Sequence, residues 1–465
     1  MTVQTLDIRS GDRPAEPTIG PGVDDTRPAV RWVGLLLGVA AAVPGVPALV
    51  PVLGIRPWHM LVAVAILVAC TQAASAAVPR LRITSLDIVV LLYTLASVLA
   101  EYTNSGDLGY GFDLVGAVTP LFYLVGYIAA RLVIDSRQSA RAFLTSFAVP
   151  AIPAGILSVL QLGSPAFSLM VLKIAPGPGL SERIVDGRLI RATGLVGHWT
   201  GLGFYFCTAL AACCSAVLLA ERGQRRFTLP LAAALFASAF GALASLTLSV
   251  LATVAVIVLV TLFVMGIRIS RVVGLGAVVL LGYMQFGSYL DERFTQQTAY
   301  RPEYLPGWVP NTIAYRWKIW TQQTIPAIED RFWTGWGSSV YTGHWRPSQL
   351  VWGSPESQWF GTAVASGVIV AVLLGLTLLV ALRYVLRGTA ERRARWKLPI
   401  GALVVSALVA SLTVPAFTNR GLPIGLWVLF GVVLALEFAA DSGGTADRGG
   451  THPTTVSECG KESCQ

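Results

Sequence analysis

Residues 249–267, SVLATVAVIVLVTLFVMGI, contain no charged side chain and no proline. As a helix rising 1.5 Å per residue, this run covers about 28 Å, close to the roughly 30 Å of hydrocarbon in a bilayer. It therefore reads as a membrane span. Comparable blocks recur along the chain, and spans are expected at roughly 32–54, 58–78, 85–100, 114–133, 142–162, 197–219, 229–246, 249–267, 272–290, 358–382, 398–416 and 422–440. Composition agrees. Of the 465 residues, 54% are hydrophobic and only 13% charged, where a soluble domain carries roughly 25% charged residues. The mean hydropathy is +0.65. The expected fold class is an all-α integral membrane protein, with about twelve transmembrane helices and one large extracytoplasmic loop containing short helices.

Working outward gives the organisation. Residues 1–31 mix Pro, Asp, Arg and Gly without periodicity and are expected to form a disordered cytoplasmic tail. Residues 32–290 hold about nine spans and 291–357 the large loop. Residues 358–440 hold about three further spans, and 441–465 form a second disordered cytoplasmic tail. Pro44, Pro47, Pro150 and Pro153 fall within expected spans, where neighbouring helices can accommodate them.

The net charge of +9 does not point to nucleic acid, because the basic residues cluster in short loops between apolar runs. Arg80, Arg82, Arg131, Arg137, Arg141, Arg222, Arg225 and Arg226 fall on one side, joined by the Arg-rich stretch 383–397. Short loops on the other side carry only Arg56 and Arg420. The positive-inside rule then puts both termini in the cytoplasm of a multi-pass cytoplasmic (inner) membrane protein, with membrane lipids as its surroundings. Cys70, Cys207, Cys213 and Cys214 lie in apolar runs, and Cys459 and Cys464 in the tail, so no disulfide framework is expected. No two of His59, His198, His344 and His452 have metal-ligand spacing, and no metal or cofactor is expected.

Charged residues are nearly absent from the middle of every span; Glu437, near the inner end of the last, comes closest. Ion-coupled transporters place ionisable groups at mid-membrane, which argues against a small-solute carrier. Chemistry then belongs to three outer segments. The first, 101–113, EYTNSGDLGYGFD, carries three carboxylates and reads most simply as a solvated turn. The second, 163–198, holds Arg188, Arg191 and His198. Arg191 and His198 stand seven residues apart, two turns of a helix, which would put them on one face. An arginine there can grip a phosphate or snorkel to the headgroups, and spacing leaves both readings open.

The third segment, 291–357, concentrates tryptophan. Trp308, Trp317, Trp320, Trp333, Trp336, Trp345 and Trp352 lie in it, with Trp359 just beyond. An interfacial belt needs only residues at span ends, so most of these suit the core of a lid or a platform for a sugar ring. Residues 312–328 repeat Ile313, Trp317, Trp320 and Thr324 at helical spacing, the pattern of an amphipathic helix lying along the membrane. Arg316 and Lys318 would then point away from the apolar stripe.

Three stretches carry a resemblance: RATGLVGH at 191–198, YRWKIWTQQTIPAIEDRFWTGWG at 315–337 and SPESQWFGTAVASG at 354–367. In order and spacing they resemble the O-antigen ligase and O-antigen polymerase family of polytopic membrane glycosyltransferases. The resemblance spans about 190 to 370 and implies a GT-C type enzyme, inverting and metal-independent. Such an enzyme passes a polyprenyl-diphosphate-linked glycan to an acceptor hydroxyl on a glycan or lipid, with polysaccharide-assembly proteins as further partners. A diphosphate leaving group needs cations, and Arg191 and Arg316 match the family's arginines, with Arg188 a near neighbour. The acceptor hydroxyl needs a base. Ligases of the family carry a His near 354–367, and this chain has Glu356 there, with His344 as the other candidate. LTLS at 246–249 also stands where many members show a Ser-Arg pair. The candidate catalytic residues are therefore Arg191, Arg316 and Glu356, and the candidate substrate contacts Arg188, His198, Trp320, Trp336 and His344. Because the ligase His is unmatched, an envelope-polysaccharide polymerase is the favoured expectation, ahead of a ligase and of a transporter.

Overall fold

Apolar runs deprived of water must satisfy their backbone internally, and helices do so within one segment. The computed structural model is helical accordingly, with no strand among the described residues. It describes residues 28–49, 54–75, 81–177, 179–187, 189–221, 224–266, 269–298, 311–341, 346–417 and 421–446. The first half runs through α1 (Pro28–Ala42), α2 (Pro57–Ser75), α3 (Ser85–Leu108), α4 (Leu114–Val133), α5 (Arg137–Ala148), α6 (Ala151–Gly163), α7 (Pro165–Ile174) and α8 (Leu180–Val185). Then come α9 (Trp199–Leu219), α10 (Leu229–Ala244), α11 (Leu248–Met265) and α12 (Ile269–Thr298). The loop contributes α13 (Asn311–Ile319) and α14 (Ile325–Asp330), and α15 (Gln358–Ser366), α16 (Val368–Leu386), α17 (Leu398–Ser411) and α18 (Leu422–Ala446) complete the chain.

Each expected span contains helix among the described residues, and nine helical stretches there, against about twelve expected spans, are long and apolar enough to cross a membrane. Boundaries differ where local chemistry overrides hydropathy. α1 ends at Ala42 rather than 54, because Pro44 and Pro47 cannot continue its hydrogen bonding. α3 runs on to Leu108, through most of the stretch expected as a turn, and ends at Gly109 in a left-handed cap. α12 extends to Thr298, past the expected loop start at 291. The span expected at 358–382 breaks at Gly367, whose φ of +86° a glycine adopts without penalty. Both expected tails lie outside the described residues except where α1 and α18 reach into them.

α9 is the axis. It is buried along nearly its whole length and packs against α5, α10, α11 and α17. Gly201, Gly203, Ala209, Ala211 and Ala212 keep it slim, which lets neighbouring backbones approach. The same device joins α1 to α5: a Cβ on Gly38 would sit 2.2 Å from the Phe147 carbonyl oxygen.

Buried charge is paired near one end of the bundle. The Arg131 guanidinium donates to both Asp87 carboxylate oxygens at 3.1 Å, to the Tyr127 hydroxyl at 3.0 Å and to the Arg82 carbonyl at 2.6 Å. Lys397 Nζ meets Glu437 at 2.6 Å. Neither pair is left unsatisfied, as burial requires.

At the opposite end the loop folds back as a docked lid. The break at Gly367 frees the last carbonyls of α15, and the lid uses them. Trp336 N–H donates to the Val364 carbonyl and Gly337 N–H to that of Ala365, both at 2.8 Å. A small core of Ala327, Ile328, Val340, Leu350, Ala363 and Val364 forms underneath. The extended end of α3 grips the lid from the other side. Asn104 donates to the Thr334 carbonyl at 2.7 Å, and Glu101, 3% exposed, accepts the Ser338 N–H at 2.7 Å. Asp107 pairs with Arg331. The acidic 101–113 stretch is thus a brace rather than a solvated turn.

Candidate active site

The segment 189–198 is neither membrane helix nor free loop. It has no regular secondary structure up to Thr193 and closes through a single 3₁₀ turn, Gly194–Val196. Gln161 of α6 holds it: its side-chain oxygen accepts from Thr193 N at 3.1 Å and Gly194 N at 2.8 Å. On the other side Ala192 N–H donates to the Ala244 carbonyl at 3.1 Å. Arg191 and His198 are therefore not on one helical face, as spacing alone suggested. The turn at Gly194 and Gly197, both at positive φ, brings them to one cavity instead.

Arg191 is 5% exposed. Its Nε donates to the Ser245 carbonyl at 3.1 Å, and a terminal nitrogen donates to Thr247 Oγ1 at 2.5 Å. The guanidinium carbon lies 4.7 Å from the Trp199 ring centroid, and that of Arg183 lies 5.1 Å from the same ring. Two cations thus share one indole, each in the range of a cation–π contact. His198 caps α9, its Nδ1 accepting Thr200 N–H at 3.2 Å.

The lid supplies the facing groups. α13 leads through a π-helical turn at Trp320–Thr324 into α14. The expected apolar stripe is covered only in its second half, where Trp320 is half-buried and Thr324 buried. Ile313 and Trp317 are exposed, Ala314 and Ile319 are buried, and Arg316 turns inward rather than away. Arg316 meets Glu356 at 2.9 Å, with both side chains about four-fifths covered (18% and 22% exposed). Glu356 has a φ of +53°. A left-handed backbone costs a non-glycine residue about 1–2 kcal/mol, so its surroundings must hold it. Trp320 Nε1 donates to the preceding Pro355 carbonyl at 3.1 Å, and Gln358 Oε1 accepts Phe417 N–H at 2.8 Å. Leu246, next to Thr247, is the other non-glycine residue at positive φ among the described residues. Both strained positions flank the same cavity, a distribution typical of functional sites.

That cavity measures about 870 Å³. Arg191, His198, Arg316 and Glu356 line it, as do Trp199, Thr247 and Trp352. Arg188 and His344 lie outside the described residues. Trp320 and Trp336 are not on the wall. The first braces Pro355, and the second donates Nε1–H to the Ala327 carbonyl at 2.8 Å inside the lid. Their indoles serve the frame because a buried N–H must find an acceptor. Burial, reinforced by the Glu356 charge, pushes the Tyr315 phenol above the usual tyrosine range. Sequence reasoning missed Trp199 and Thr247. Trp199 follows His198 directly at a span end, where a belt explains it too readily. Thr247 sits in LTLS and supplies an oxygen that orients Arg191 where a cation was expected.

Two guanidiniums and a carboxylate in one concave site can hold a dianionic group and receive a proton beside it. The fold and site define a polytopic helical membrane protein with a cationic cavity under a lid. Residues 232–375, from α10 into α16, match the model of a family described as O-antigen ligase, which supports a membrane protein of the O-antigen ligase/polymerase type. The family's general activity is glycan transfer of the ligase or polymerase type. No curated protein matches the chain.

Proposed function

We propose that the chain transfers a glycan from a polyprenyl-diphosphate carrier to an acceptor hydroxyl at the outer face of the cytoplasmic membrane. The observation that carries this reading is the convergence of Arg191, Arg316 and Glu356, from segments far apart in sequence, on one cavity. The lid end faces outward and both termini inward, in keeping with the basic residues of the short opposite loops.

Chemistry assigns the roles. The acceptor oxygen forms a bond to the anomeric carbon as the bond from that carbon to the diphosphate oxygen breaks. Attack opposite the leaving group inverts the centre. The acceptor proton goes to Glu356, and polyprenyl diphosphate departs with the electron pair. Arg191 and Arg316 stabilise the charge that grows on it, through hydrogen bonds about twice as strong as neutral ones. Arg191 is held in advance by Ser245, Thr247 and Trp199, so little reorganisation is needed as the bond breaks.

Both substrates would be lipid-linked glycans in a polymerase, and Glu356 in place of a ligase histidine favours that reaction. Purified protein incubated with a lipid-diphosphate oligosaccharide tests the reading. A ladder of products supports a polymerase and a single transfer product a ligase. Absence of transfer, with uptake of labelled solute into proteoliposomes, would replace both with a carrier.

A further inference from the structure

A second cavity, of about 410 Å³, opens at the same end of the bundle. This is within the size range of small-molecule sites. It stands back to back with the first. Pro44 is on its wall, and the next residue, Gly45, donates its N–H to the Leu195 carbonyl at 2.9 Å, inside the segment that carries Arg191 and His198. A Cβ on Gly45 would lie 2.4 Å from the Val196 carbonyl carbon, so the two segments meet backbone to backbone there. The lid reaches both: Ser354 and Glu356 border the first, Ser338 and Ser339 the second.

The second cavity presents hydrogen-bonding groups of both kinds. His59, 4% exposed, accepts the Arg56 backbone N–H on Nδ1 at 2.9 Å. A nitrogen that accepts carries no proton, so the ring is neutral with its proton on Nε2. That donor has no hydrogen-bond partner among the described residues. A buried donor left unmade costs about 1–3 kcal/mol, which marks a place where a bound molecule can accept. Asp113 caps α4 with Oδ1 on Gly116 N–H at 2.9 Å, and Ser338 Oγ reaches its Oδ2 only at 3.5 Å. The carboxylate therefore keeps capacity to accept. The Arg56 guanidinium donates to the Pro44 carbonyl at 3.3 Å and lines the same space.

No ligand of one sign satisfies this set. A phosphate answers Arg56 and His59 but meets Asp113; a metal cation answers Asp113 but meets Arg56. A hydroxyl both donates and accepts, so a polyhydroxyl molecule can satisfy all three. Tyr123, stacked on Trp58 with centroids 5.9 Å apart, adds an aromatic surface of the kind sugar rings rest on.

We propose that this second cavity is a saccharide subsite, holding a neutral sugar unit of the glycan next to the cavity where the bond is made. The proposal rests on the glycan-transfer reading for its purpose, but binding can be measured without turnover. Full-length protein in lipid nanodiscs would be titrated with two probes. One is the oligosaccharide released by mild acid from the cell's own lipid-linked glycans; the other is inorganic pyrophosphate. His59→Phe, Asp113→Asn and Thr119→Trp should each weaken oligosaccharide binding about tenfold or more and change pyrophosphate binding less than about twofold. Thr119→Trp fills the space from a half-buried position on α4 and covers the case in which His59→Phe fails to fold. Oligosaccharide affinity unchanged in Asp113→Asn and Thr119→Trp would overturn the proposal, as would loss of pyrophosphate rather than sugar binding in them. Loss of sugar binding in these variants supports the subsite even if Arg191→Ala leaves pyrophosphate binding intact, a result that counts against the catalytic reading alone.

Discussion

Arg316 and Glu356 meet at 2.9 Å on the wall of the larger cavity, joining the first helix of the lid to the segment that returns to the membrane. The pair has two consequences for chemistry. It ties Arg316 to the side chain of a residue whose backbone is left-handed, with a φ of +53°. It also sets Glu356 and the incoming diphosphate in competition for one guanidinium. Glu356→Gln should therefore abolish transfer while leaving pyrophosphate binding equal to wild type or tighter, and Glu356→Asp should retain part of the rate. Weaker pyrophosphate binding in Glu356→Gln, by titration, would contradict the competition.

Arg191 is fixed by three partners, and a lysine cannot reproduce its fork. Arg191→Lys should lower the transfer rate by about 10²-fold, the loss expected when a prepositioned donor to a developing charge is removed. Expression and thermal unfolding should stay near wild type, which separates the effect from misfolding.

Trp199 carries both Arg183 and Arg191 on its faces. Trp199→Ala should cost about 1–2 kcal/mol in Arg191 placement, a five- to thirtyfold fall in kcat, and Trp199→Phe should recover part of it. Equal rates in wild type and Trp199→Ala would show that Ser245 and Thr247 suffice.

The lid's hold on α3 is testable without substrate. Asn104→Ala leaves the Thr334 carbonyl without its donor, a loss of about 1–3 kcal/mol. Hydrogen exchange across 331–341 should accelerate, while exchange in α9 stays unchanged.

Tyr110 packs against Gly337 of the lid, and burial, reinforced by Glu101, pushes its phenol above the usual tyrosine value. A raised folded pKa stabilises below the unfolded value and less above it, because the unfolded phenol ionises first. The brace should therefore hold below pH 10 and loosen as pH rises further. Tyr110→Phe should lessen that alkaline loss of Tm; an identical alkaline decline in both proteins would exclude Tyr110 as its source.

Hydropathy made the spans legible because crossing a bilayer constrains length and polarity together. It did not make the breaks legible. The stop after Ala42, the interruption at Gly367 and the extension of α3 to Leu108 follow from proline geometry, positive φ and contacts with the lid. At the candidate site, Arg191 and Arg316 were singled out because they match arginines of the family the chain resembles, and Glu356 because it stands where ligases of that family carry a His. The roles of Trp320 and Trp336 were hidden, because a tryptophan that bears a sugar and one that bonds a carbonyl look alike in sequence. Asn104 and Gln161 were hidden for a related reason. Each acts through backbone groups more than thirty residues away, and no local pattern marks such a contact.

The most direct test of the central claim is transfer from a radiolabelled polyprenyl-diphosphate oligosaccharide, measured in EDTA with wild-type protein, Arg191→Ala and Arg316→Ala. The account predicts a labelled glycan product and released polyprenyl diphosphate from the wild type, and neither from the two variants at equal protein. Wild-type product from both variants, or no product from the wild type, would contradict it.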